Sequence, residues 1–262
     1  RMTWSFIFVA IVIALRKSWQ GFRPVLENRK RIWVYFATGL LLTLNWLVYV
    51  WAVNSSYIVE SSLGYFINPL VNVLLGVIFL RERLRLGQWI PVGLAAAGVL
   101  YLTVSYGSLP WIALTLAFSF GLYGLLKKTA ALASTHGFML ETGFMLLPAL
   151  GYLLYLEFTG QAAFGHQSVF TTGMLAFAGV ATGLPLLWFG IAARQIPLST
   201  LGLLQYIAPT LQFSIGVLLY GEDFSQARVI GFSIIWLALL IYSSEGFFHR
   251  RASLAAQPSA TD

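Results

Sequence analysis

Cysteine is absent from this 262-residue chain, which removes disulfides, thiol nucleophiles and thiolate metal sites together. Charge is nearly as scarce: 10% of residues are charged and 58% apolar, where soluble domains carry roughly a quarter charged. His136, His166 and His249 all fall in connectors or the tail, and no group of His, Asp and Glu has metal-ligand spacing. No serine sits in a nucleophile elbow, so the chain is expected not to be an enzyme, to hold no metal and to need no cofactor. Period-2 alternation is missing, which excludes a membrane β-barrel. The formal charge of +7 would point to nucleic acid in a soluble protein, but its distribution along this chain has a different meaning, and no nucleic-acid partner is expected.

What the chain does have is long apolar runs. Nine segments stand out, at about 2–15, 32–53, 62–80, 88–106, 109–126, 137–157, 169–192, 199–220 and 228–247. Short polar connectors join them, often marked by Pro or Gly, as in Gly107-Ser108-Leu109-Pro110 and Ile196-Pro197. The expected fold is an all-α integral membrane protein, a helical bundle of nine transmembrane helices whose first partner is the lipid bilayer. Only residues 249–262 read as a disordered tail. If all nine segments cross, Arg16, Lys17, Arg23, Arg29, Lys30, Arg31, Arg81, Arg83, Arg85, Lys127, Lys128, Arg194, Arg250 and Arg251 lie on one side, and only Arg1 and Arg228 lie opposite. The positive-inside rule makes the rich side, with the C-terminus, cytoplasmic.

A repeat underlies this order. Pro69 and Pro209, Gly76 and Gly216, and Glu82 and Glu222 share an offset of 140 residues, and Ala52 matches Ala192 in the same way. Segments one to four then correspond to six to nine, and the fifth lacks a partner. One helix is therefore expected ahead of Arg1, giving ten in the complete protein as two inverted repeats of five. The first half, lacking its first helix, covers 1–106, and the second covers 107–248. Inverted halves are a transporter signature, with the substrate site near mid-membrane between them.

The stretch from Ser61 to Arg83 organises the rest. Gly64, Asn68, Asn72 and Gly76 recur every fourth residue, so on a helix they share one face. Carboxamides facing lipid would leave donors and acceptors unmet, so that face should look onto other helices or a wet cavity. Pro69 is expected to bend or break the helix, and Pro209 to do the same in the eighth segment, where Gln205 and Gln212 occupy the corresponding face. Gln donates and accepts, which suits a neutral or zwitterionic ligand, although a packing seam closed by Gly202 and Gly216 reads equally well. Tyr65 and Tyr206 flank these amides, and Asn45, Trp46 and Trp188 could add polar and aromatic walls, though Trp more often marks an interface. Glu141 lies within the sixth segment, where a charge costs about 3 kcal/mol at mid-helix, so it is near the headgroups, protonated or paired. A neutral, desolvated carboxyl there would be a candidate for proton coupling. Glu82, among Arg81, Arg83 and Arg85, reads as a salt bridge or helix-end anchor.

Several blocks, Asn45-Trp46, Trp51-Ala52-Val53-Asn54, Glu60 through Asn72, Gly107-Ser108-Leu109-Pro110, Glu141-Thr142 and Leu198 through Thr210, together resemble the RarD branch of the EamA family in the drug/metabolite transporter superfamily. The likeness runs to about Phe248. It implies ten helices in two inverted repeats with both ends in the cytoplasm, a bacterial inner-membrane location, and a permease that moves a small organic metabolite or drug, as an exporter, by alternating access. RarD members carry a chloramphenicol-sensitivity label, which settles no substrate. A channel or a non-transporting assembly subunit remains the alternative, and oligomeric state, a homodimer included, is left open.

Overall fold

The computed structural model describes residues 1–28, 31–55, 57–107, 109–211 and 226–255. Regular structure among these is helical: α1 (Met2–Leu15), a 3-10 turn (Trp19–Phe22), α2 (Arg23–Leu26), α3 (Ile32–Asn54), α4 (Ile58–Phe79), α5 (Leu86–Tyr106), α6 (Trp111–Thr129), α7 (Ser134–Phe144), α8 (Leu146–Phe158), α9 (Val169–Gln195), α10 (Leu198–Leu204) and α11 (Gln226–Ala255). By length and apolarity α3, α4, α5 and α9 each suffice to cross a membrane. With 14 residues, α1 spans about 21 Å at 1.5 Å per residue, less than a hydrocarbon core of about 30 Å, and the chain turns by 118° after it. The sixth apolar segment is a bent pair, α7 and α8, meeting at 45° around Met145. Pro148, near the start of α8, has no N–H for the Phe144 carbonyl, and that missing bond accounts for the bend. The last helix continues past Arg250 and Arg251 to Ala255.

Polarity is inverted relative to a soluble protein. Val169 is 90% exposed, while Glu141, Thr142 and Asn72 are buried. Only a lipid surround makes that distribution favourable, because it rewards apolar surface and penalises an unpaired polar group.

The described chain forms two compact units. The first comprises Arg1–Leu47 with Leu122–Pro197, and the second Val48–Gly121 with Leu198–Asp262. In the first, α1 lies on α9 at a glycine: a Cβ on Gly179 would meet the Trp4 backbone at 2.4 Å, and Ser5 Oγ donates to the Gly179 carbonyl at 3.1 Å. Small residues replace hydrophobic contact as the means of close helix approach in lipid. In the second unit α5 packs on α11, where Gly98 faces Ile235 and Gly231 faces Leu102. There α10 packs on α4.

Carboxylates at two helix ends act as remote caps. Glu82 accepts from Leu198 N–H at 2.6 Å and from Ser199 N–H at 2.9 Å, opening α10, and from Ser199 Oγ at 2.7 Å. Glu60 Oε1 accepts from Ile112 N–H at 2.8 Å, opening α6. Each satisfies donors that the start of a helix leaves unmet. Glu82→Ala is expected to cost about 1–2 kcal/mol, and Glu82→Gln less, when thermal unfolding is followed in detergent.

Candidate functional site

In α4, Asn72 and Gly76 of the four-residue ladder face α10. Gly76 abuts the start of α10, where a Cβ would come within 3.2 Å of Ser199 N. A Cβ on Gly202 would reach the Pro69 carbonyl at 2.6 Å and Asn72 Cβ at 2.9 Å, so the two helices touch at backbone distance. Gly64 serves a different neighbour, α6, with Ala113 O 3.2 Å from where its Cβ would be.

Between these contacts three carboxamides converge. Asn68 Nδ2 donates to Gln205 Oε1 at 2.5 Å, and Asn72 Nδ2 donates to the same oxygen at 2.9 Å. Both asparagines are buried and Gln205 is half-buried. One oxygen thus receives two donors, which leaves Asn68 Oδ1, Asn72 Oδ1 and Gln205 Nε2 without partners among the described residues. The neighbouring Tyr206 hydroxyl is buried and likewise unpartnered among them. Exchanging N and O in all three amides preserves the pattern, with Gln205 donating to both asparagines. The spare capacity can therefore be matched to donors or acceptors. A buried polar atom left unmet costs about 1–3 kcal/mol, so three in one seam make a strongly polar spot within an apolar bundle.

The backbone explains why Gln205 is presented there. Regular helix ends at Leu204, Gln205 and Tyr206 form a turn, and Gln205 O accepts from Ala208 N–H, three residues on, at 3.2 Å. Pro209 supplies no N–H to that carbonyl, so the helix opens one turn before it. Its counterpart behaves differently: α4 runs unbroken through Pro69. The expected pair of broken helices is thus one continuous helix set against one opened one.

Tyr65 is 37% exposed and meets the Tyr49 ring edge-on at 5.9 Å. Asn45, Trp46 and Trp188 belong to the other unit, where Asn45 and Trp46 are half-buried and Trp188 is 63% exposed. Gln212 lies outside the described residues, as do Gly216 and Glu222.

The first unit holds a separate polar centre. Glu141 is buried and paired: Lys127 Nζ lies 2.7 Å from its Oε1, with the two side chains 3% and 0% exposed. Thr38 Oγ1 donates to Oε1 at 3.0 Å and the Tyr123 hydroxyl to Oε2 at 3.3 Å. Three glycines make room for the pair. A Cβ on Gly39 would meet the Glu141 carbonyl at 2.8 Å, one on Gly137 would meet Lys127 Nζ at 3.3 Å, and one on Gly190 would meet Lys127 Cε at 3.1 Å. Lys127 is thus consumed internally and adds no free surface charge to the α6–α7 connector. Lys128 also turns inward, donating to the carbonyls of Ala193 and Ile196, and Arg194 donates to Leu132 O. The partners of Glu141 escape sequence reading because no local spacing relates residues 38, 127 and 141. The available signal was indirect: a carboxylate inside a span requires a base somewhere. No group of three or more His, Asp or Glu able to hold a metal occurs among the described residues.

Comparison with known proteins gives a consistent picture. Residues 1–104 match the model of the EamA-like transporter family. The chain is 47% identical to the uncharacterized transporter YojE of Bacillus subtilis, over 97% of this chain and 85% of that protein. It is 43% identical to protein RarD of Streptomyces exfoliatus, over 99% of this chain and 82% of that one. A solved crystal structure of a protein 20% identical in sequence shares the fold, with a TM-score of 0.65 over 96% of this chain and 87% of the other. The inside-out polarity, the crossing helices and identities above 40% across nearly the whole chain converge: this multi-pass membrane protein belongs to the EamA-like transporter family, on its RarD branch.

Proposed function

We propose that the protein is a carrier moving a small neutral or zwitterionic organic molecule outward across the bacterial inner membrane by alternating access. The observation that carries this reading is the convergence of Asn68, Asn72 and Gln205 at an opened turn, with donor and acceptor capacity left unmet among the described residues. Amides buried only for packing would be expected to satisfy one another, whereas a ligand offering both donors and acceptors would complete this set. An opened helix in an inverted-repeat transporter is a recurrent place for such recognition. In this reading the C-terminus is cytoplasmic, and the arginines of the α4–α5 connector mark the same side. Tyr65 is proposed as a further contact for the ligand, and Glu141, in the first unit, as the proton-coupling group, released from Lys127 when it takes up a proton. The proposal is transport without chemistry.

The direct test pairs transport with ligand-induced stabilisation. Full-length protein is screened by thermal shift against metabolites and drugs, since a molecule binding only the folded form raises its melting temperature. Asn72→Leu is expected to abolish the shift produced by the best compound and to reduce its flux at least tenfold, while the ligand-free protein melts at or above the wild-type temperature, because an unmet buried amide has been removed. Unchanged flux in Asn72→Leu would reduce the cluster to a packing seam.

A further inference from the structure

We propose that the groove between α4 and α5 holds an acyl chain of an anionic phospholipid, with Arg81 and Arg83 gripping the headgroup phosphate. The groove, of about 280 Å3, is lined by Leu70, Leu74 and Val77 of α4 and by Trp89, Val92 and Ala96 of α5. Its walls are almost wholly apolar, and Leu74 and Trp89 are each about half exposed at its rim. Val77 lies near the end of α4 and Trp89 in the first turn of α5, so the groove runs up to the connector that carries the arginines. Tryptophan at such a position fits the depth of the headgroups.

The charges in that connector are not equivalent. Arg85 is paired to Glu245 at 2.9 Å, and Glu82 is committed to the start of α10. Arg81 and Arg83 are exposed and have no acidic partner among the described residues. Two exposed arginines without an acidic partner among the described residues therefore follow directly on the helix that forms one wall of the groove. Arg81 has φ +54°, a left-handed conformation rare for a long side chain, held as the turn closes with Glu82 N–H donating to Gly76 O at 3.0 Å. That closure fixes where its side chain leaves the backbone.

Lipid is the occupant these features fit. A tail entering the groove gains no hydrophobic energy over the bilayer it leaves, so selectivity must come from the headgroup. Guanidinium binds phosphate oxygens in a bidentate fork, and the net negative charge of phosphatidylglycerol, unlike zwitterionic phosphatidylcholine, leaves that attraction uncancelled. Free phosphate would meet the same arginines in open solvent, without the groove.

The experiment uses the full chain, purified and delipidated in detergent, titrated separately with phosphatidylglycerol, phosphatidylcholine and inorganic phosphate while bound lipid is counted by native mass spectrometry. Phosphatidylglycerol is expected to bind and raise the melting temperature, phosphatidylcholine to do so much more weakly, and phosphate not at all. Each arginine near an anionic headgroup contributes about fivefold, so Arg81→Gln with Arg83→Gln is expected to weaken phosphatidylglycerol binding roughly 25-fold. Ala96→Phe, which fills the groove, is expected to remove binding while the arginines remain. A photoactivatable phosphatidylglycerol on the wild-type protein should label peptides containing Leu70–Val77 or Trp89–Ala96, a readout independent of variant folding. Equal binding of the two lipids, equal protection by inorganic phosphate, retention of selectivity in the double arginine variant, or labelling confined to other helices would each overturn the proposal.

Discussion

Lys127→Met is expected to destabilise the protein by about 3–5 kcal/mol, because it leaves the Glu141 carboxylate without its cation in a fully buried site. Thr38 and Tyr123 would still donate to Glu141, but neutral donors do not balance a charge. The measurement is a thermal melt of purified protein together with the monodisperse fraction in detergent, and a wild-type profile would refute the assignment of this pair. Adding Glu141→Gln to Lys127→Met is expected to restore most of the loss. Glutamine keeps an oxygen for one of the two hydroxyls and offers its amide N–H to the other, which accepts as well as donates, and removal of both charges removes the desolvation problem. That double variant separates the structural from the coupling role. If Glu141 carries the transported proton, the restored protein still binds ligand but no longer moves it against a gradient when a proton gradient is applied. Full proton-driven flux in the double variant would remove Glu141 from the mechanism and leave it a structural ion pair.

Gly202→Ala is the second large effect. The added methyl would lie 2.6 Å from the Pro69 carbonyl and 2.9 Å from Asn72 Cβ, and neither backbone can rotate away as a side-chain tip would. Overpacking of this kind costs about 1–3 kcal/mol, and relief requires α10 to move off α4. The hydrogen bonds from Asn68 and Asn72 to Gln205, at 2.5 and 2.9 Å, span the same seam and would lengthen with it. The expected result is a modest fall in melting temperature with a disproportionate loss of ligand-induced stabilisation, at least tenfold in apparent affinity. Gly64→Ala is the matched control. It crowds Ala113 O at 3.2 Å on α6 instead, so it should cost stability without the selective loss of ligand response. Equal loss of ligand response in the two variants would detach the amide cluster from binding.

The sequence by itself determined what depends on composition and on local repeat. Scarce charge and apolar runs specify membrane helices, because hydrocarbon leaves backbone groups no partner except one another. The spacing of Asn68, Asn72 and Gly76 put them on one face, and the missing N–H of Pro209 opened the helix at Gln205, since both follow from covalent geometry within a turn or two. Pro69 shows the boundary of that reasoning: the same residue type left α4 continuous. Only the tertiary structure decided that Asn68 meets Gln205, 137 residues away, that Lys127 and not Lys128 answers Glu141, and that Glu82 caps α10. Those outcomes rest on how closely two helices can approach, through Gly202 at one seam and Gly39, Gly137 and Gly190 at the other, and no periodicity along a single helix records that distance.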